Sequence, residues 1–458
     1  MENTAENKMG VMPIGKLVLN MSVPMMISML VQALYNVVDS IFVSMVSEEA
    51  LSAVSFSFPA QNLMIGLATG TAVGVNALMG RALGAGLRER ADKVANNGVF
   101  LAVVGFVISA LLGLTCSDLF FRSQTQVENI IQMGNDYLRI VTIGSLGMFC
   151  QIMYERLLQG TGRSILSMYT QGLGAIINII LDPIFIFPCG WGMMGAAIAT
   201  VIGQILSAVL AAAYLLHMKA VRLQRSSFRL RGELLRAFLP LGMTSFLSQI
   251  SIVFSMAAVL NMCRKYGALD PVFGQAQYAQ IPTAVVGIVM KFFQIVISIA
   301  IGLSAGCIPV VGYNIGAGRR DRARALLHRL MLAEAVVGLV ATALFESCPG
   351  VFADLFGAKN ESAYYTDFAV RCIRWFLGAA ALSCVNKGAM IYLQALGKAW
   401  TSTALSLLRE IVLGVVLVLL LPVWFGLDGV LYFMVAADAV TFIVTVPVLV
   451  RTDRALRG

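Results

Sequence analysis

Long apolar stretches, separated by short polar segments, run along almost the whole chain. Each is long enough to cross a hydrocarbon layer about 30 Å thick, which takes about 20 helical residues. Spans of this kind must be helices, because hydrocarbon offers the backbone no hydrogen-bond partner. The pattern predicts twelve spans, at about residues 17–43, 52–78, 94–115, 133–158, 164–188, 193–217, 236–262, 279–309, 325–349, 365–394, 400–425 and 429–450.

A glycine-rich pattern occurs twice. The copies are offset by 232 residues (306 − 74 = 232) and comprise Gly74, Gly80 and Gly84-Ala85-Gly86 against Gly306, Gly312 and Gly316-Ala317-Gly318. Arginines follow both copies, so both lie on the same side of the membrane and an even number of spans separates them. The repeat therefore predicts two parallel six-helix halves with a binding site between them, an arrangement typical of transporters. We expect an amino-terminal lobe at 1–217, a cytoplasmic linker at 218–235 and a carboxy-terminal lobe at 236–458.

Lysine and arginine are concentrated in alternate polar segments. Such an excess marks the cytoplasmic side, so we expect a multi-pass protein of the cell (inner) membrane with both termini in the cytoplasm. Composition agrees: 59% of residues are hydrophobic, 12% are charged and the mean hydropathy is +0.83, which excludes soluble and disordered proteins. The net charge of +9 lies mostly between spans, so membrane lipid is the expected partner and nucleic acid is not.

Two acids lie inside predicted spans, where an ionisable group costs several kcal/mol and is usually functional. Asp39 is near the end of the first span, and Asp182 is near the end of the fifth. Asn178 lies four residues before Asp182, on the same helix face. Pro183 follows and frees a backbone carbonyl. Carboxylate and amide oxygens suit a proton or a small hard cation such as Na⁺. The alternative is that both acids reach interfacial water.

Prolines and soft polar side chains are candidates for hinges and for substrate contacts. Pro24 and Pro183 are candidate hinges, since a proline inside a helix favours a bend. Methionine and aromatic side chains suit large amphipathic cations. The candidate substrate contacts are Met29, Gln32, Tyr35, Met64, Gln151, Tyr154, Gln249, Gln280, Lys291 and Gln294.

Enzyme chemistry has little support in the sequence. The two histidines, His217 and His328, lie in polar segments, and the eight cysteines form no CxxC pair. No metal cluster or nucleophile motif accompanies them. We expect no enzyme and no cofactor, although a membrane-embedded enzyme or receptor scaffold is the rival from another class.

In combination, these motifs resemble the multidrug and toxic compound extrusion (MATE) family, in its DinF/MepA-like branch. The resemblance covers nearly the whole chain. It implies two six-helix lobes around a central cleft and transport driven by Na⁺ or H⁺ import. It also implies an amino-terminal cation site at Asp39, Asn178, Asp182 and Thr200, which would bind Na⁺ if Na⁺ is the coupling ion. The acids used by another branch on helices seven and ten are missing, which argues against a second-lobe site there.

The expected function is therefore antiport by alternating access, in which small amphipathic organic cations leave in exchange for H⁺ or Na⁺. The nearest alternative is a lipid-linked oligosaccharide flippase of the same superfamily. A flippase would use several arginines to bind a diphosphate. The candidates here are Arg139, Arg371, Arg374 and Arg409.

Overall fold

The computed structural model describes residues 7–217, 232–355 and 362–457. Helices make up nearly all of these ranges. They are α1 (Lys8–Val11), α2 (Ile14–Ser44), α3 (Glu48–Gly84), α4 (Arg88–Gln124), α5 (Glu128–Ile143), α6 (Ser145–Gly160), α7 (Ser164–Ile186), α8 (Gly192–His217), α9 (Gly232–Gly267), α10 (Ile281–Gly316), α11 (Arg320–Ser347), α12 (Pro349–Leu355), α13 (Ala363–Leu377), α14 (Ala380–Ala395), α15 (Ala399–Leu407), α16 (Gly414–Phe425) and α17 (Leu427–Arg457). A π-helical segment, Leu408–Leu413, joins α15 to α16.

Twelve membrane-spanning elements follow from these helices, as the sequence predicts. Eleven stretches within the described ranges are long and apolar enough to cross a membrane. The twelfth consists of α5 and α6, two consecutive helices of 16 residues each. Two spans are built from consecutive helices, α5 with α6 and α13 with α14. The predicted all-helical membrane fold, with two parallel lobes around a central cleft, is confirmed. The proposed linker at 218–235 lies mostly outside the described residues, and the lobe boundaries stay predictions.

The repeated glycines lie at helix boundaries in both lobes. Three matched pairs have a positive φ between 51° and 87°: Gly86 and Gly318, Gly162 and Gly397, Gly192 and Gly426. After α3, the Leu87 amide donates to the Ala82 carbonyl and the Gly86 amide to the Leu83 carbonyl. This is the Schellman pattern, in which glycine occupies the left-handed position. The Gly-Ala-Gly loops are therefore tight helix-ending turns.

A helix break is repeated as well. Gly144 separates α5 from α6, and Gly378 lies at the break between α13 and α14, 234 residues later (378 − 144 = 234). A side chain at Gly144 would collide with Val201 of α8. The break thus accommodates a closely packed neighbouring helix, a feature that the apolar pattern alone does not reveal.

The lobes contact each other closely at the end of the molecule where α3 and α10 finish and α2 begins, here called the basic end. A methyl group at Gly84 would lie less than 3.0 Å from the Tyr313 carbonyl oxygen, and one at Gly316 equally close to that of Arg81. The two contacts are related by the repeat offset (313 − 81 = 232). The glycines therefore form a self-complementary crossing of α3 and α10, as in a two-fold interface.

Further backbone contacts continue this closure towards the middle of the membrane. Gly302 and Gly306 of α10 pack on residues 21–26 of α2, around the buried Pro24. Gly70 and Gly74 of α3 pack in the equivalent way on α9. All four glycines lie in the halves of α3 and α10 nearest the basic end. The cleft is thus closed by backbone packing at this end.

The amino-terminal segment crosses from one lobe to the other. It comprises α1 and Met12, and we call it the strap. Three side chains of the carboxy-terminal half donate to its backbone oxygens: Asn314 Nδ2 to Met9 (3.0 Å), Arg319 Nη1 to Gly10 (2.6 Å) and Arg322 Nη2 to Met12 (2.7 Å). The strap adds charge-assisted hydrogen bonds to the glycine contacts.

Gly84→Ala should destabilise this closed arrangement by about 1–3 kcal/mol, because the added methyl group meets backbone that cannot move without separating the helices. Gly172→Ala is the matched control, since the space beside Gly172 within α7 is open and alanine favours a helix. The unfolding midpoint of the protein in detergent measures both variants. Equal midpoints would show that the glycine crossing is not needed for packing.

Candidate functional site

The candidate site lies in the amino-terminal half, where α2 packs on α7. Asp39 and Asp182 lie in the last two turns of these helices, at the end remote from the basic end. Asp182 is fully buried and Asp39 is half-buried. Their carboxyl groups are within hydrogen-bonding distance of each other. Two carboxylates at contact repel strongly, so this arrangement requires a shared proton or a bound cation.

Asn178 and Thr200 complete the predicted set. The Asn178 amide donates to Asp182 Oδ1 (3.3 Å) and to Thr200 Oγ1 (3.2 Å). Asn178 and Asp182 share a face of α7, as their spacing predicts. Thr200 is contributed by α8, which forms an antiparallel pair with α7. The four residues singled out from the sequence are therefore brought together in one place.

Several oxygen atoms at this site have no hydrogen-bond partner among the described residues. They are Asp39 Oδ1, Asp182 Oδ2 and Asn178 Oδ1, and all three are buried. A buried polar atom without a partner is costly. Carboxylate and amide oxygens are the ligands that small hard cations prefer, and either carboxylate can take a proton. The donor set therefore fits H⁺ or Na⁺.

Two tyrosines border the carboxyl pair. Tyr35 lies one turn before Asp39 on α2, and its hydroxyl contacts Thr200. Tyr137 of α5 lies near both Tyr35 and Asp39, and its hydroxyl accepts a hydrogen bond from Gln61 of α3 (2.9 Å). Sequence reasoning missed Tyr137 and Gln61, because neither has a spacing relation to Asp39. The site is thus polar and aromatic on the sides formed by α3 and α5.

The other candidate substrate residues are distributed over several places. Gln32 accepts a hydrogen bond from Gln171 (3.2 Å), whereas Gln151 and Tyr154 of α6 lie beside the buried Glu155 and Cys150. Met64 is in the hydrophobic core, Met29 packs beside the core near the basic end, and Gln249 lies next to Gly66. Gln280, Lys291 and Gln294 are exposed on or just before α10. Their roles in binding stay predictions.

A second buried acid of the amino-terminal half was also missed. Glu155 is 6% exposed and accepts a hydrogen bond from the Gln151 amide (3.1 Å). The Thr170 and Ser207 hydroxyls lie 3.5 Å from its carboxyl and donate their shorter hydrogen bonds to the backbone carbonyls of residues 167 and 170. Glu155 lies at an interior position of the predicted fourth span, and that alone could have identified it. Its neighbours are an amide and two hydroxyls rather than a second carboxyl, which distinguishes it from the Asp39–Asp182 pair.

The carboxy-terminal half contains a neutral charge cluster instead of an open carboxyl pair. Arg409 is hydrogen-bonded bidentately to Asp438 (2.7 and 3.1 Å) and also to Glu410 (2.8 Å). Lys387 lies 3.6 Å from Glu410. Arg409 and Glu410 belong to the π-helical segment, a distortion often found at functional sites. These two cations and two anions compensate one another.

No group of three or more His, Cys, Asp or Glu side chains that could hold a metal ion occurs in the part of the chain that the structure describes. A Na⁺ ion at the candidate site would therefore be held by two acids together with neutral oxygens.

Comparisons with known proteins agree with the fold and the site. The MatE family model matches residues 24–184 and 272–420, well over half of the chain. An FAD transporter of Shewanella oneidensis is 26% identical over 319 residues, which cover 69% of this chain and 68% of that protein. The multidrug export protein MepA of Staphylococcus aureus is 23% identical over 429 residues, covering 93% and 91%.

A solved structure gives the same result. It is described as the outward-facing conformation of a multidrug resistance MATE family transporter of the MOP superfamily, with a TM-score of 0.92, 25% identity and full coverage of both chains. The family match, the shared fold and the assembled acid site lead to one conclusion. The chain belongs to the MATE family and is a membrane transporter, not an enzyme.

Proposed function

We propose that this transporter is a secondary active antiporter that exports amphipathic organic cations in exchange for H⁺ or Na⁺. The observation that carries the proposal is the contact between Asp39 and Asp182 inside the membrane, together with their unpartnered buried oxygens. Such a pair binds a proton or cation in one state and releases it in another. An exported cation would compete with H⁺ or Na⁺ for the negative charge of this pair.

The basic end is the cytoplasmic side in this proposal, because it carries most of the lysines and arginines between spans. Both termini are then cytoplasmic, and the protein lies in the cell membrane. The glycine contacts close the cleft towards the cytoplasm, so the structure corresponds to an outward-facing state. The coupling ion reaches Asp39 and Asp182 from outside.

Ion binding acts on the closure through α2. Asp39 is near one end of this helix, and the residues that flank Pro24, near the other end, pack against Gly302 and Gly306 of α10. Pro24 cannot donate to the carbonyl of residue 20, so a bend there breaks no backbone hydrogen bond. Pro183 gives α7 the same freedom next to Asp182. Binding of H⁺ or Na⁺ to the carboxyl pair thus changes the packing of α2 on α10. This change switches the cleft between access from the outside and access from the cytoplasm.

Substrate would bind beside the carboxyl pair. Tyr35 and Tyr137 offer aromatic faces, which attract organic cations, and Gln32 and Gln61 offer amides. An ionised Asp39–Asp182 pair attracts a cation, whereas a proton or Na⁺ on the pair removes that attraction. Competition of this kind produces exchange rather than cotransport.

A second candidate substrate is a flavin dinucleotide, favoured by the similarity to the relative named FAD transporter. A dinucleotide is an amphipathic anion, so its uptake would not compete with H⁺ for the carboxyl pair. FAD transport by proteoliposomes that is unaffected by changes at Asp39 and Asp182 would support this candidate.

The flippase alternative has less structural support. Three of its four candidate arginines are already in ion pairs: Arg371 with Asp428 (3.1 Å), Arg374 with Glu346 (3.9 Å) and Arg409 with Asp438 (2.7 Å). A diphosphate would have to displace these carboxylates. We therefore do not propose lipid transport.

Asp39→Asn and Asp182→Asn should each lower ion-driven efflux of ethidium from cells by about tenfold or more, because an amide cannot bind and release a proton. Fluorescence of cell-associated dye measures the rate. Asp118→Asn is the matched control, since Asp118 lies in the same half but is half-exposed and paired with Arg122. The site assignment fails if both variants transport ethidium at the rate of the Asp118→Asn control.

Proteoliposomes should extrude ethidium when the compartment facing the outer end is made acidic, because a proton satisfies the carboxyl–carboxyl contact without further ligands. A Na⁺ gradient at constant pH should have little effect. Transport driven by Na⁺ alone would instead assign Na⁺ to the site, and transport that needs neither gradient would contradict antiport.

A further inference from the structure

Glu334 is a buried acid that the proposed mechanism does not use. It lies halfway along α11, and its side chain is fully buried. Ser304 of α10 donates a hydrogen bond to Oε1 (2.5 Å), whereas Oε2 is buried with no partner among the described residues. An ionised carboxylate in hydrocarbon costs several kcal/mol, and one hydroxyl group does not offset that cost. Glu334 therefore carries a proton in this state.

The surroundings of Glu334 are built to hold the carboxyl. A side chain at Gly388 of α14 would meet Glu334 Cγ at 2.7 Å, so the glycine makes room for the acid. Gly338, one turn further along α11, packs directly on the backbone of α14 at Ala381. The pocket is thus formed by α10, α11 and α14.

Few titratable groups face Glu334. The thiols of Cys307 on α10 and Cys384 on α14 are close to it, and Cys384 also lies near Asp438 of α17. Asp438 is paired with Arg409. The described parts of α2, α12 and α13 place no charged side chain close enough to act on Glu334. A hard metal ion is usually coordinated by about six oxygen atoms. The site offers only one carboxyl and one hydroxyl group, so it suits a proton better than a metal ion.

Glu334 is connected directly to the closure between the lobes. Its partner Ser304 lies between Gly302 and Gly306, the glycines that pack on α2. In the same turn, Ser22 of α2 donates to the Leu303 carbonyl (2.7 Å) and contacts Cys307 Sγ (3.6 Å). Separation of α2 from α10 would therefore break these contacts and admit water to the turn that holds Glu334.

We propose that Glu334 is a second proton-binding site, in the carboxy-terminal half, which holds its proton while the basic end is closed and releases it when the lobes separate there. By linkage, protonation of Glu334 favours the closed basic end, and its ionisation favours the open one. The inference goes beyond the exchange proposed at Asp39 and Asp182 and does not depend on the substrate.

The opening of the basic end can be measured by pulsed electron spin resonance between labels at Leu87→Cys and Arg320→Cys. Both positions are exposed at the basic end, one on each lobe. The exposed cysteines, Cys116, Cys189 and Cys348, are replaced by serine. In lipid nanodiscs, raising the pH from about 5 to about 9 should shift the wild-type distances to longer values, over the range where buried carboxyls titrate.

Glu334→Gln should lose this shift and keep the short distances at every pH, because the amide is neutral and still accepts from Ser304. Glu346→Gln is the matched control on the same helix, where Glu346 is half-exposed and lies 3.9 Å from Arg374. It should respond as the wild type does, and the Asp39→Asn, Asp182→Asn double variant should still shift to longer distances as the pH rises. A wild-type shift in Glu334→Gln, or no shift in the wild type, would overturn the proposal.

Infrared spectroscopy provides a test that changes nothing at Glu334. In the Asp39→Asn, Asp182→Asn double variant, the carbonyl band of a protonated carboxyl should decrease as the pH is raised over the same range. No decrease would overturn the inference even if Glu334→Gln fails to fold. Efflux that fails in the double variant while the distance shift persists would separate the two sites.

Discussion

Hydrocarbon offers no hydrogen-bond partner to a polar group, and this constraint determines how the polar groups within the spans are arranged. The backbone is helical throughout its spans for this reason. Charged side chains follow three different solutions: Arg409 and Lys387 are compensated by acids, Asp39 and Asp182 share one site, and Glu334 has a single hydroxyl partner. Only the last two leave buried oxygens unsatisfied. These unsatisfied oxygens are the basis of both proton sites that we propose.

Sequence reasoning was sufficient wherever the relevant partners are close in the chain or repeated within it. The offset of 232 residues identified glycines that all proved to end helices or to allow close backbone contact, because few other residues permit either. Asn178 and Asp182 could be paired from their spacing of four on one helix. Asp39 and Thr200 joined them through the family resemblance, since no local pattern relates positions so far apart.

Other features depend on contacts between distant segments. Tyr137 became part of the site because α5 packs beside α3, and Gln61 provides its partner only in the fold. The π-helical segment at Leu408–Leu413 places Arg409 and Glu410 in one cluster, although neighbours on an ordinary helix point in different directions. The lobes also diverged after duplication: by the offset of 234, Met434 stands where Thr200 would recur (434 − 200 = 234). The internal repeat predicts the fold that the two lobes share, but it does not predict which side chains differ between them.

The strap links the amino-terminal segment to the closure of the basic end. Because Met9, Gly10 and Met12 accept hydrogen bonds from the opposite lobe, those bonds exist only while the lobes meet at that end. The energy of the strap therefore weights one half of the cycle against the other. In the proposed cycle, stronger hydrogen bonds to the strap would favour the state in which the basic end is closed.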